Sequence, residues 1–282
     1  MQVRLASEAA PGRTENEDHA FQTGPLVAVL DGVTAPPGID TGCIHGPAWY
    51  VSRLTARLTE VASACSDDPL ADNLAEAIRR VRGDHGNRCD LNNPATPAAT
   101  VCLVRDSGQT LDYLILSDTT LVTERAGQVQ IFTDPRFREA VAQLRRVPVM
   151  SDYAIGDSDQ AAPVPQTINR KYQLTNQPGG YWISAANPDA AHQAMIGSLP
   201  LTGKDRVRRA ALLTDGTSCA VDEYAFLDWA ELLDLLTEQG PKELIRRVRL
   251  AENADPEGHA HPRYKRHDDA TAALCIFDKE SR

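Results

Sequence analysis

The chain has 282 residues, of which 42% are hydrophobic and 24% charged, the balance of an ordinary globular domain or two small ones. Thirty-nine acidic residues against 29 basic ones leave a formal net charge of −10, which argues against nucleic acid and anionic membrane as partners, since both need a basic footprint. No apolar run approaches the roughly 18 residues of a membrane span, and the opening Met1-Gln2-Val3-Arg4-Leu5 has no signal-peptide core, so a cytoplasmic protein is expected.

In chain order, residues 26–30 (LVAVL) form a short apolar run with the length of a buried strand. Trp49, Leu54, Leu58 and Val61, then Leu70, Leu74, Ile78 and Val81, recur at helical spacing and predict two amphipathic helices. Residues 100–104 and 111–116 are predicted to pair through Asp106-Ser107-Gly108, and residues 121–124 and 129–132 through Ala126-Gly127-Gln128, as two hairpins. Phe137, Val141 and Leu144 mark another helix. Residues 147–180, with Pro148, Pro163, Pro165, Pro178 and a glycine pair, read as a loop-rich surface excursion. A strand at 210–213, helices over 227–236 and 244–250, and a last strand at 270–277 complete the chain. This mixed order predicts an α+β fold of antiparallel sheet with helices packed outside, as one domain over 1–282.

The six cysteines (Cys43, Cys65, Cys89, Cys102, Cys219 and Cys275) are scattered without a C-x-x-C pair, a spacing that suggests neither a zinc site nor a redox motif. Cys102 and Cys275 lie inside strand-like runs and are expected to be core thiols. His259 and His261, in a Gly/Pro-flanked loop, offer two ligands where zinc takes four.

Acidic residues cluster at strand ends. Asp31-Gly32 follows residues 26–30, Asp215-Gly216 follows 210–213, Asp268-Asp269 precedes 270–277, and Glu17-Asp18 stands upstream of the first run. An Asp-Gly pair taken singly is most often a turn. Four acidic positions at strand ends of one sheet system can instead converge on hard cations, which take oxygen ligands.

Arg13-Thr14-Glu15-Asn16-Glu17-Asp18 resembles the R-x-x-N-E-D opening of the type 2C, or PPM, metal-dependent serine/threonine phosphatases. Val29-Leu30-Asp31-Gly32, Ala98-Ala99-Thr100, Leu116-Ser117-Asp118-Thr119, Leu213-Thr214-Asp215-Gly216 and His267-Asp268-Asp269-Ala270-Thr271 are similar to the family's later motifs, in family order. The resemblance spans residues 13 to 271 and suggests a bacterial-type member. It implies a sandwich of two antiparallel sheets flanked by helices, with two Mn²⁺ or Mg²⁺ ions at one end. Asp31 would bridge both ions, the Gly32 carbonyl and Glu17 would serve one, and Asp215 and Asp268 the other. Asp18 would orient metal-bound water, and Arg13, with Asp31 and Asp215 a catalytic candidate, would clamp phosphate oxygens with its planar fork. Asp118 would be a ligand of a third, weaker ion. The implied reaction is hydrolysis of phosphoserine and phosphothreonine, or of a small phosphoester, by water bridging the two ions, in a monomer. Residues 147–180 would be a flap beside the cleft, where Arg170 and Lys171 could meet a phosphorylated segment.

Some positions depart from the family pattern. Val33 replaces a histidine proposed as general acid in animal members, and His45, a dozen residues on, reads as a surface histidine at a helix start. Ser117 and Thr120 replace the outer residues of G-D-S-R, Cys219 stands where a third-ion aspartate is usual, with Asp222 or Glu223 as substitutes, and Asp269 replaces asparagine. Two other phosphatase classes do not fit. A haloacid-dehalogenase-type phosphatase needs a nucleophilic aspartate two residues before its Asp-Gly, where this chain has Val29 and Leu213. A Cys-dependent phosphatase loop is absent too, because no cysteine is followed by arginine six positions later. A non-catalytic module on the phosphatase fold is favoured by the eroded motifs and opposed by the intact Arg13, Glu17, Asp31, Asp215 and Asp268.

Overall fold

Two five-stranded antiparallel sheets stack face to face. The first runs β1 (Gln2–Glu8), β10 (Ala270–Ile276), β9 (Val207–Leu213), β6 (Thr120–Arg125), β7 (Gln128–Phe132); the second runs β2 (Asp18–Thr23), β3 (Leu26–Gly32), β4 (Ala99–Asp106), β5 (Thr110–Leu116), β8 (Met195–Pro200). The structure, a computed structural model, describes residues 1–36, 38–65, 67–146, 166–263 and 265–277.

Strand β3 shows why its sequence is apolar throughout. Val27 and Val29 share the core between the sheets with Leu121, Leu212, Ala273 and Cys275. Ala28 and Leu30, on the opposite face, pack with α1 (Pro47–Ala64) and α2 (Leu70–Asp84), which bury Tyr50, Leu54, Leu58, Leu74 and Ile78 there. With both faces covered, no polar alternation remains. The first sheet is covered likewise on its outer side. Ala211, Leu213, Ala272 and Leu274 pack there with helices α5 (Asp215–Asp222), α6 (Trp229–Glu238) and α7 (Pro241–Ala254). The layers are therefore α-β-β-α, the expected α+β sandwich. Cys102 and Cys275 are fully buried between the sheets, as expected.

Both hairpins form. β6 and β7 are joined by Ala126-Gly127, each with positive φ (52° and 75°), the backbone whose twist suits a two-residue hairpin. Strands β1, β2 and β8 had no counterpart in the periodicity. All three are sheet edges, and their half-exposed residues carry no apolar run. Helix α3 (Arg136–Arg146) matches its expectation, whereas α4 (Gln166–Gln173) occupies part of the stretch read as loop; residues 147–165 of that stretch lie outside the described residues. No helix among the described residues is long and apolar enough to cross a membrane.

Candidate metal centre

The acidic residues singled out above meet at one end of the sandwich. Asp31 ends β3 opposite Asp18 of β2 and Thr100 of β4. In the other sheet Leu213 of β9 lies opposite Ala272 of β10 and Thr120 of β6. Asp215, Asp268 and Asp118 each stand two residues beyond one of those strand ends. The two sets are joined directly, because Thr214 Oγ1 donates to Asp18 Oδ2 at 2.9 Å.

The glycines that follow two of these aspartates are required by close approach. A Cβ on Gly32 would lie 2.6 Å from the Glu17 carbonyl oxygen, which accepts the Gly32 N–H at 2.9 Å. A Cβ on Gly216 would lie 1.8 Å from the Asp269 carbonyl oxygen. In both places only the absence of a side chain lets two backbone segments touch behind the acidic cluster. Asp215 opens α5, with Thr214 as its N-cap residue, so a segment read as a strand end and turn is also a helix start.

Glu17 is held from several sides. Its backbone N–H donates to Asp269 Oδ2 at 2.6 Å, while Asp269 Oδ1 accepts from Ala10 N–H at 2.7 Å. Its carboxylate pairs with Arg13, an exposed guanidinium 3.1 Å away, and accepts a short hydrogen bond from the Thr34 hydroxyl. Asp269 is thus a buried anchor for the loop carrying Arg13 and Glu17, which explains a carboxylate where the family pattern has asparagine.

Burial, reinforced by crowded negative charge, sets the electrostatics. Burial, then Asp215, Asp18, Asp118 and Asp268, push the Asp31 carboxyl well above the usual carboxylate range. Burial, then Asp215 and Asp269, do the same to Asp18, against the opposing hydrogen bond from Thr214. The Asp215 side chain reaches solvent, yet the protein packed around it, with Asp268 and Asp118, raises it to about 7. Asp118 is raised chiefly by burial. It follows Ser117, whose φ of 71° lies in the left-handed region that glycine enters freely, the residue the motif carries there. Such a set needs counter-cations or protons. Its donors are carboxylate and carbonyl oxygens, the chemistry of hard divalent ions, and the residues therefore fit the metals the resemblance implies.

Two lysines stand at this centre: Lys265, which carries no signal in the sequence, and Lys171, expected only as a contact for a phosphorylated segment. Lys265 Nζ lies 2.8 Å from Asp268 Oδ1, and its ammonium is favoured by Asp268, Asp215 and Asp31. Lys171 of α4 is half-buried with Nζ 4.9 Å from the Phe137 ring centre, and Asp118 favours its charge while burial opposes it. Neither has a strand-end or motif signature that ties it to the acidic centre. Of the substitutes for the missing third-ion aspartate, Glu223 is within electrostatic reach of Asp268, and Asp222 feels Arg138, which also acts on Asp118; Cys219 is buried in the core. Val33 packs against Ala98, Tyr181 and Ile183.

The histidine expectations divide. His259 and His261 belong to a loop wrapped on Asp255, which accepts both backbone N–H groups, and His261 Nδ1 sits 3.0 Å from the Glu223 carbonyl oxygen. His45 is not a plain surface histidine, and the cysteine spacing misled. His45, Cys43, His85 and Cys89 come together, the one group of three or more His, Cys, Asp or Glu side chains among the described residues whose donor atoms all lie within 4.8 Å of one another.

The family model for protein phosphatase 2C matches residues 14–249. The chain belongs to the protein phosphatase 2C family. It is accordingly a metal-dependent phosphatase. Among curated proteins none matches it. Solved phosphatases share its fold. The PPM Ser-Thr phosphatase MsPP of Mycobacterium smegmatis, solved with cacodylate, is 18% identical with a TM-score of 0.56, and the match covers 99% of each chain. The catalytic domain of the serine threonine protein phosphatase PstP, in complex with two manganese ions, is 15% identical with a TM-score of 0.55 over 98% of each chain. The phosphatase Stp1 of Staphylococcus aureus is 12% identical with a TM-score of 0.57, over 99% of this chain and 96% of its own. At these identities the likeness is one of fold.

Proposed function

We propose that this phosphatase hydrolyses phosphoserine and phosphothreonine in proteins at the acidic end of its sandwich, with Mn²⁺ or Mg²⁺ held by Asp31, the Gly32 carbonyl, Glu17, Asp215 and Asp268. The observation that carries the reading is the placement of Asp31, Asp118, Asp215 and Asp268 at adjoining strand ends of both sheets, joined by the Thr214–Asp18 hydrogen bond. The manganese-bound PstP domain supports the choice of metal. Two such ions, when bound, would activate water and stabilise charge on the transferring phosphoryl group.

The chain's own residues divide the remaining work. Arg13, exposed beside Glu17, pairs with phosphate oxygens by its planar fork, releasing Glu17 to the metals. Thr34 and Asp269 keep Glu17 in place while this exchange occurs. Asp18, hydrogen-bonded to Thr214, orients water at the centre. Asp118, with Asp222 or Glu223 as its partner, is the ligand set for a weaker third ion. Lys171 and Arg170 on α4 face the incoming phosphoprotein. The protein acts as a cytoplasmic monomer, one catalytic unit over residues 1–282.

The test is hydrolysis of p-nitrophenyl phosphate and a phosphothreonine peptide with and without added Mn²⁺ or Mg²⁺, alongside calorimetric metal binding. Activity should require the metal and vanish with chelator. Asp215→Asn should lower kcat by orders of magnitude and weaken metal binding while the far-UV spectrum is unchanged. Full activity in excess chelator would refute the assignment.

A further inference from the structure

We propose that Cys43, His45, His85 and Cys89 form a tetrahedral zinc site, separate from the acidic centre, which pins the loop between β3 and α1 to the end of α2. Cys43 and His45 come from that loop. His85 caps α2, and Cys89 follows the short 3₁₀ turn Gly86–Arg88. Cys43 Sγ lies 3.4 Å from His45 Nδ1 and 3.4 Å from His85 Nδ1, Cys89 Sγ lies 3.5 Å from His45 Nδ1, and the two sulfurs are 2.8 Å apart.

These separations can be compared with the metal's own geometry. Zinc–sulfur bonds of about 2.3 Å and zinc–nitrogen bonds of about 2.0–2.1 Å at tetrahedral angles put sulfur about 3.5 Å from nitrogen and about 3.8 Å from sulfur. The three sulfur–nitrogen distances given above already match. The thiols would part by about 1 Å as they ionise and close on the ion. Two thiols and two imidazoles are a soft and borderline donor set, one that selects zinc over the manganese or magnesium suited to carboxylates.

The surroundings are those of a built site. His45 N–H points at Cys43 Sγ at 3.4 Å, so a developing thiolate has a backbone donor. The Trp49 ring stacks on His45 at 3.8 Å and meets His85 edge-on at 4.7 Å, which fixes both imidazole planes. Asp90 N–H donates to the Gly42 carbonyl at 2.7 Å, and Asn93 Nδ2 donates to the Asp40 carbonyl at 2.9 Å. These bonds hold the two ligand-bearing segments together beside the cluster. Gly42 takes a φ of +64°, and a Cβ there would meet Asn93 at 3.0 Å, so the segments approach as closely as glycine permits.

The site also has a mechanical consequence. The ligand-bearing loop begins directly after Asp31-Gly32. The chain beyond Cys89 enters β4 at Ala99, just after the Ala98 carbonyl accepts the Val33 N–H at 2.9 Å. A zinc staple here would fix the backbone on both sides of Asp31.

The experiment uses the full chain prepared under reducing conditions with zinc, then exchanged into metal-free buffer. Elemental analysis should find one equivalent of zinc retained, falling at least tenfold in Cys43→Ser/Cys89→Ser. Replacement by Co²⁺ in the wild-type chain should give thiolate-to-cobalt charge-transfer absorption and the strong visible bands of tetrahedral cobalt. Carboxylates cannot produce the charge-transfer band, so this result is independent of the phosphatase centre, and it needs no variant to fold. Three outcomes would overturn the proposal: zinc unchanged in the double variant, no thiolate band with cobalt, or an intact mass two hydrogens lower with two fewer titratable thiols, which would signify a Cys43–Cys89 disulfide.

Discussion

Thr214 directly follows β9 of one sheet and Asp18 opens β2 of the other, and the hydrogen bond of 2.9 Å from the threonine hydroxyl to the aspartate carboxylate fastens the acidic ends of those sheets to each other. Both residues are buried, and the same hydroxyl oxygen accepts the Thr271 N–H at 3.1 Å. Thr214 therefore serves β2, β9 and β10 at once. Thr214→Val keeps the shape and removes every one of these bonds, leaving a buried carboxylate short of a donor. It should destabilise the protein by about 1–3 kcal/mol in urea unfolding. Thr214→Ser should restore most of that loss. A valine variant as stable as the parent would mean that water or a proton satisfies Asp18.

Arg13 offers a second measurement. Its pairing with Glu17 at 3.1 Å means that phosphate must draw the guanidinium away from a carboxylate. Arg13→Ala should raise KM for phosphate esters more than it lowers kcat, because the clamp holds ground state and transition state alike. Arg13→Lys should recover only part, since an ammonium cannot form the bidentate pair. An unchanged KM in the alanine variant would remove Arg13 from the phosphate site.

Val33 bears on the leaving group. A p-nitrophenolate departs without a proton, whereas a serine alkoxide needs one, and general acid catalysis typically contributes about 10²–10⁴-fold. Valine supplies no proton, and it packs among Ala98, Tyr181 and Ile183. His45, the nearest histidine downstream, is engaged with Cys43 and Cys89. The enzyme should therefore favour p-nitrophenyl phosphate over a phosphoserine peptide strongly in kcat/KM. Equal values would show that another group of the centre, with Lys171 and Lys265 the nearest candidates, delivers the proton.

What the sequence determined by itself was the set of elements buried on both faces and the acids at their ends. Residues 26–30 are legible because β3 is covered by a sheet on one side and helices on the other, which demands an unbroken apolar run. Asp31, Asp215 and Asp268 are legible because a polar residue that ends such a run breaks the local pattern. Strands β1, β2 and β8 carry little such signal, since an edge strand is chosen by its neighbour's unpaired backbone groups more than by its own side chains. The tertiary structure alone decided that Asp269 anchors the Glu17 loop, that Lys265 and Lys171 stand at the acidic centre, and that Cys43 and His45 meet His85 and Cys89. The last pairing shows the reason most plainly. Forty residues and two helices separate His45 from His85, and a local reading of spacing has no access to which surfaces those helices bring together when they bury Leu54, Leu58, Leu74 and Ile78 against the sheet.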